Sequence, residues 1–205
     1  MGEVFVARTV DPVKHAASRR HIMDSAAVLF AEHGLERTTT AMICEAAGMS
    51  PGRLYHYFTG KKSLFIAVLT ADRRETGQVL EELRRTEPPL EALLAFVEHL
   101  AAPAVAHPLV SQLVLEAMMQ AQRDEEVRAI LEEVDAEERA GLEELLTRAA
   151  EAGEVDAEVE ARDGAAWLAT LVGAAYLGGL DGGDPSARLA QLRRTVRGYL
   201  LLPRV

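Results

Sequence analysis

Residues 38–62, TTTAMICEAAGMSPGRLYHYFTGKK, crowd side chains able to contact a polyanion into one short, strongly punctuated stretch. Arg53 can donate two hydrogen bonds at once, the pairing that reads guanine O6 and N7. Tyr55 offers a hydroxyl to a phosphate, and Lys61 adds positive charge just beyond it. Gly52 lets a backbone approach closely, with Pro51, His56 and Tyr57 beside it. Two helix N-termini, expected at Thr39/Thr40 and at Ser50, would add amide donors of the kind that hold phosphate. The chemistry implied is recognition of duplex DNA. A second reading stays open: the Tyr-His-Tyr run as a packed corner between domains, with Arg53 a solvated surface charge. The joint register of cap, turn, apolar positions and basic flank favours the first.

These residues need two short helices set at an angle. Thr38, Thr39 and Thr40 are a run of candidate N-caps for a helix over 41–47, which Gly48 ends. Ser50-Pro51 opens the next as N-cap and first helical residue, where the missing proline N–H costs nothing. Ile43 and Ala47 give the first helix an apolar face; Leu54 and Phe58, four apart, do so for the second. Upstream, Ile22, Ala26, Leu29 and Phe30 mark one face of a helix over 13–33, which Gly34 stops.

Downstream, one long helix is expected from Lys61 and Lys62 to about Arg85, ended by Glu87-Pro88-Pro89. Further helices are expected over 90–101, 109–122, 124–152, 163–180 and 185–201. Pro103 and Pro108 are assigned to a connector, and Gly141 is a point where 124–152 could break. No useful strand-period alternation or internal repeat is present. The fold class is therefore all-α, about nine helices: an N-terminal three-helix domain over 14–62 and a helical domain over 63–205.

Composition agrees. Aromatic residues are only 5% of the chain, and residues with little rotamer freedom to lose in a helix dominate. The formal net charge of −10 is unevenly spread: residues 1–62 carry +2 and the remainder −12. A mildly basic head on an acidic body suits contact with phosphate at one end only. The single cysteine, Cys44, excludes an intramolecular disulfide and any cysteine-based zinc cluster; it fits a reducing cytoplasm. Residues 1–13 lack a basic n-region followed by an apolar h-region, so no signal peptide is expected. The uncharged stretch near 164–180 reads as a buried helix rather than a membrane span. No glycine-rich phosphate loop, HExxH or nucleophile elbow is found, and His99 and His107 are poorly spaced for a metal. Neither an enzyme nor a cofactor is expected.

Residues 22–69 resemble the DNA-binding domain of the TetR family of transcriptional regulators. The likeness lies in AAVLFAEHGLERTTT, in EAAGMS and in LYHYF followed by KKSLF. It implies that Thr40 and Tyr55 hold phosphates and that Pro51, Gly52, Arg53, His56 and Tyr57 lie at base edges. It also implies that Lys61 anchors the following helix to the DNA backbone. Ala41 stands where many relatives carry a polar or basic residue, which shifts base readout onto the second short helix. Cys44 replaces a usual alanine and is read as a small buried hydrophobe.

The resemblance further implies that the second domain binds a small-molecule effector and dimerises. Ala165, Ala169 and Gly173 form a stripe of small residues. With Leu189, Leu192, Val196 and Tyr199 of the last helix they are the expected dimer interface. Packing inside one monomer is the competing reading; a lone helix-turn-helix reads too few bases to be specific, which favours the dimer. Effector contacts are expected at Phe96, His99, Leu113 and Glu116, and at Met119, Trp167, Leu171 and Tyr176, each of which ordinary core packing would also explain. A buried Glu116 would favour a cationic ligand. The Glu-rich stretch 132–144 is read as a solvated helix face. The expected function is a ligand-responsive repressor on a palindromic operator; the alternative is an all-helical adaptor or small-molecule-binding protein without sequence-specific DNA binding.

Overall fold

The computed structural model describes residues 11–178 and 184–201. Among them ten helices and no strand are found. The helices are α1 (Pro12–Arg37), α2 (Thr40–Ala46), α3 (Pro51–Tyr57), α4 (Lys61–Leu69) and α5 (Arg73–Leu83). They continue with α6 (Pro89–Ala106), α7 (Pro108–Ala121), α8 (Glu125–Glu151), α9 (Ala161–Gly178) and α10 (Pro185–Leu201). The nine expected helices are all present, and one is divided: the helix expected from Lys61 to Arg85 breaks at residues 70–72. Leu180, expected in α9, lies outside the described residues.

The chain divides into two compact units between Val68 and Leu69, six residues beyond the boundary expected after residue 62. The head extends that far because Leu64 and Phe65 of α4 are fully buried, Phe65 standing edge-on to Phe30 at 5.1 Å. Around that aromatic pair lie Ile22, Ala26, Ile43, Leu54 and Phe58, the apolar positions that the sequence periods marked. Gly34 has a φ of 77° and non-helical backbone, so the regular part of α1 stops there as its sequence requires.

In the body unit α6 is the central rod, in contact with α5, α7, α8, α9 and α10. It is apolar on nearly every side, and it is long and apolar enough to cross a membrane by length and composition alone. Its neighbours give the physical reason: Leu93, Leu94, Phe96 and Val97 are fully buried against Leu142, Leu145, Leu146 and Leu168. Two expectations fail in this unit. Pro103 lies inside α6 rather than in a connector: the helix continues past it to bury Ala104 and Val105, and His107 N–H bonds back to the Pro103 carbonyl at 3.3 Å. Gly141 does not break α8. A Cβ there would lie 2.9 Å from both Leu80 Cδ2 and Phe96 Cε1, so the glycine makes room on α8 for side chains of α5 and α6. Ion pairs tie the rim: Arg84 bonds both Glu144 oxygens at 2.8 and 2.7 Å, which holds the Glu144 carboxyl below its usual range. Arg73 pairs with Glu133 and Glu137 in the same way, and Arg193 with Glu91 and Glu98.

Candidate nucleic-acid interface and effector site

In the head, α2 and α3 are each one side buried and one side open. Thr39 caps α2, its hydroxyl accepting from Met42 N–H at 3.2 Å, and Thr40 begins the helix half-buried. Thr38 has a different task from its neighbours. Fully buried, it donates to the carbonyls of Gly34 and Leu29, closing the chain reversal between α1 and α2. Gly48, at φ 60°, turns the chain. Ser50 caps α3 through Arg53 N–H, and Pro51 is its first residue. Leu54 and Phe58 then anchor α3 in the core, and Cys44 is buried as a small hydrophobe.

The outer face of α3 is correspondingly open. Ser50, Pro51, Gly52, Arg53, Tyr55 and His56 are exposed, Tyr55 by 54%, and Tyr57 is half-buried. A Cβ at Gly52 would meet nothing within 4 Å, so no packing inside the protein calls for a glycine there. Lys61 departs from expectation. Its ammonium donates to the carbonyls of Leu35 (2.7 Å), Glu36 (2.9 Å) and Thr38 (3.1 Å). An ammonium has three N–H donors, and all are spent on the end of α1, leaving none for a phosphate.

Three residues went unnoticed in the sequence. Arg53 Nη2 donates to Ser18 Oγ at 3.3 Å, the His15 ring lies 4.6 Å from that of Tyr57, and the Arg19 guanidinium sits 5.0 Å over Phe58. His15, Ser18 and Arg19 continue the α1 stripe of Ile22 and Ala26 backwards by two turns, and that spacing was the available signal.

In the body unit the expected effector residues separate into groups. Phe96 is fully buried; His99 stacks on it with centroids 6.4 Å apart and shares a 3.3 Å hydrogen bond with Thr76 Oγ1. Tyr176 donates its hydroxyl to the Leu100 carbonyl at 3.0 Å, which brings it to the same helix. Burial pushes Tyr176 up to about 12, with the charges of Glu138 and Asp72 adding to it. Glu138 corrects the reading of 132–144 as a wholly solvated face: burial, helped by Asp135 and Glu137, pushes it up to about 7. It lies one turn before Gly141, the residue that lets α8 approach Phe96 and Leu80, and so shares that inward face. Leu171 packs half-buried on the core; Leu113 is half-buried on α7. Glu116 accepts from Gln120 on its own helix at 2.8 Å. Met119 and Trp167 are 53% and 47% exposed and line no interior. The described cleft beside Arg74, Gln78 and Glu81 is a charged surface of α5, open to solvent.

The expected dimer residues also divide. Ala165, Leu192 and Val196 are buried in their own subunit's core, with Ala169, Leu189 and Tyr199 packed against it. The three buried ones cannot also be a partner's surface; the other three are half-buried, and Tyr199 lies 6.5 Å from the Trp167 ring. Gly173 keeps open space beside it. What α9 turns outward is the stripe Trp167, Thr170, Ala174 and Leu177, the last 59% exposed.

Residues 22–68 match the family described as bacterial regulatory proteins, tetR family. The HTH-type transcriptional regulator UidR of Escherichia coli strain K12 is 30% identical over 118 residues, which is 56% of this chain and 57% of UidR. The chain thus spans little more than half the length of that curated relative. Among solved structures, Salmonella enterica GusR superposes with a TM-score of 0.72 at 24% identity, covering 95% of this chain and 99% of GusR. FadR of Bacillus subtilis, solved in complex with stearoyl-CoA, gives 0.73 at 18% identity over 86% and 96%. At such identities these two structures speak for the fold. With the matched segment folded as capped α2, glycine turn and open-faced α3, residues 22–68 form a DNA-binding-type domain similar to that of the bacterial regulatory proteins of the tetR family.

Proposed function

We propose that this protein is a ligand-responsive transcriptional repressor that binds a palindromic DNA operator as a homodimer in the bacterial cytoplasm. The observation that carries the reading is the outer face of α3, where Pro51, Gly52, Arg53, Tyr55 and His56 stand exposed on a helix fixed from behind by Leu54 and Phe58. The N-terminal residues of such a helix are those that reach base edges in the major groove. Gly52, which internal packing does not require, supports a close approach of that backbone to DNA. Thr39, Thr40 and Tyr55 are assigned to phosphates, and Arg53, His56 and Tyr57 to base edges. Lys61 is reassigned from phosphate contact to bracing the head.

For the effector, the cluster of His99, Tyr176, Thr76 and Glu138 beside Phe96 supports a polar recognition point inside an otherwise apolar bundle. An effector that binds the DNA-free form better by about 1–3 kcal/mol would lower operator affinity roughly 5–150-fold. Dimerisation is assigned to the outward stripe of α9.

The DNA reading is tested by Arg53→Ala. It is expected to cost about 1–3 kcal/mol and to relax preference at one position per half-site. Operator preference left intact in that variant would refute the base-reading role. The second reading, a helical adaptor, predicts no salt-dependent affinity for duplex DNA.

A further inference from the structure

The segment that matches the family begins at Ile22, yet α1 begins ten residues earlier, at Pro12. Those first turns are well-formed helix: the Asp11 carboxylate accepts from the backbone N–H groups of Val13 and Lys14, capping the start. Residues 11–20 are exposed except for two, His15 and Ser18, which are half-buried and three apart on one face. Both lie against α3. Ser18 receives Arg53 Nη2 at 3.3 Å; His15 packs on Tyr57 at 4.6 Å with an interplanar angle of 35°, and meets His56 edge-on at 6.2 Å. One helical turn of α1 therefore touches three of the residues assigned to base edges.

We infer that the first turns of α1 are a positioning element for base recognition, with Ser18 holding the Arg53 guanidinium and His15 holding the Tyr57 ring. The inference rests on the DNA-binding reading of α3. A free arginine is rich in rotamers, and most of that freedom must be lost when its fork engages a guanine edge. A hydrogen bond made beforehand removes part of that loss before DNA arrives. Arg53 has five N–H donors in its fork; the Ser18 contact uses one, so a bidentate pair remains available to a base. Ser18 touches no base in this account; it acts through Arg53 and sets how sharply that one position is read.

The test is operator selection from random duplex DNA with the full-length protein, its Ser18→Ala and Ser18→Thr variants, and each change combined with Arg53→Ala. Arg53→Ala identifies the base position that Arg53 reads. Ser18→Ala is expected to lower discrimination there about three- to tenfold, the worth of one hydrogen bond, with the other positions and the melting temperature unchanged. Ser18→Thr, which keeps the hydroxyl, restores it. In the Arg53→Ala background the loss of Ser18 has no further effect, as coupling between two residues in contact requires. A motif that survives Ser18→Ala unchanged, or that weakens equally at all positions, overturns the inference while leaving DNA recognition intact. A native protein that enriches no motif overturns both.

Discussion

Gly52 separates the two forces that shape a DNA-reading helix. Inside a helix, glycine is less favourable than alanine by about 0.5–1 kcal/mol, and nothing in the protein occupies the space where its Cβ would stand. Gly52→Ala should therefore raise the thermal stability of the head and lower operator affinity. Calorimetry and a binding titration on the same sample check this; higher affinity in the variant would show that no backbone approaches DNA there. Lys61 makes the opposite case. A phosphate anchor, once removed, leaves stability alone and reduces the salt slope by about one. A lysine satisfying three carbonyls instead braces the fold. Lys61→Met should destabilise the head by about 1.5–3 kcal/mol, the scale of hydrogen bonds to a charged group, and leave the salt slope of the folded fraction unchanged.

At the scale of elements, α2 and α3 were legible because capping and turn chemistry are local. Thr39, Gly48, Ser50 and Pro51 act on their own backbone, and the structure finds each doing so. Where tertiary contact decides, local signals misled. Pro103 and Gly141 read as breakers, yet α6 and α8 run through them because burial on several neighbours outweighs local propensity. The same applies to Glu138, which a run of acidic residues hid. Its carboxyl titrates near 7 in the folded chain and near 4.5 unfolded. Between these values the folded state binds more protons, so this group's stabilising effect is complete below 4.5 and is lost as pH rises through 7. Glu138→Gln should stabilise the body unit at pH 8 by about 1–2 kcal/mol, after screening of a partly exposed group. At pH 4.5 it should change little. Denaturant titrations at the two pH values check the difference, and equal effects at both would show that Glu138 ionises normally.

In the proposed dimer, two α3 helices act together on one operator. Small residues on α9 suggested a dimer seam, but Ala165 and Ala169 face the subunit's own core, because side chains that let helices approach do so equally well within a subunit. Which subunit a small-residue stripe packs against is not written in its spacing, and the exposed side of α9 moves the expected seam to Trp167, Thr170, Ala174 and Leu177. Trp167→Glu together with Leu177→Lys should give a folded monomer in sedimentation, with operator affinity reduced by at least tenfold. A dimer that survives both changes would place the seam elsewhere.

The most direct measurement is selection of bound fragments from random duplex DNA by the purified protein, followed by sequencing. The expected result is a palindrome whose half-sites are centred about one helical turn, roughly 34–36 Å, apart, with affinity falling steeply as salt rises. Failure to enrich any sequence at low salt, where phosphate contacts are strongest, would contradict it.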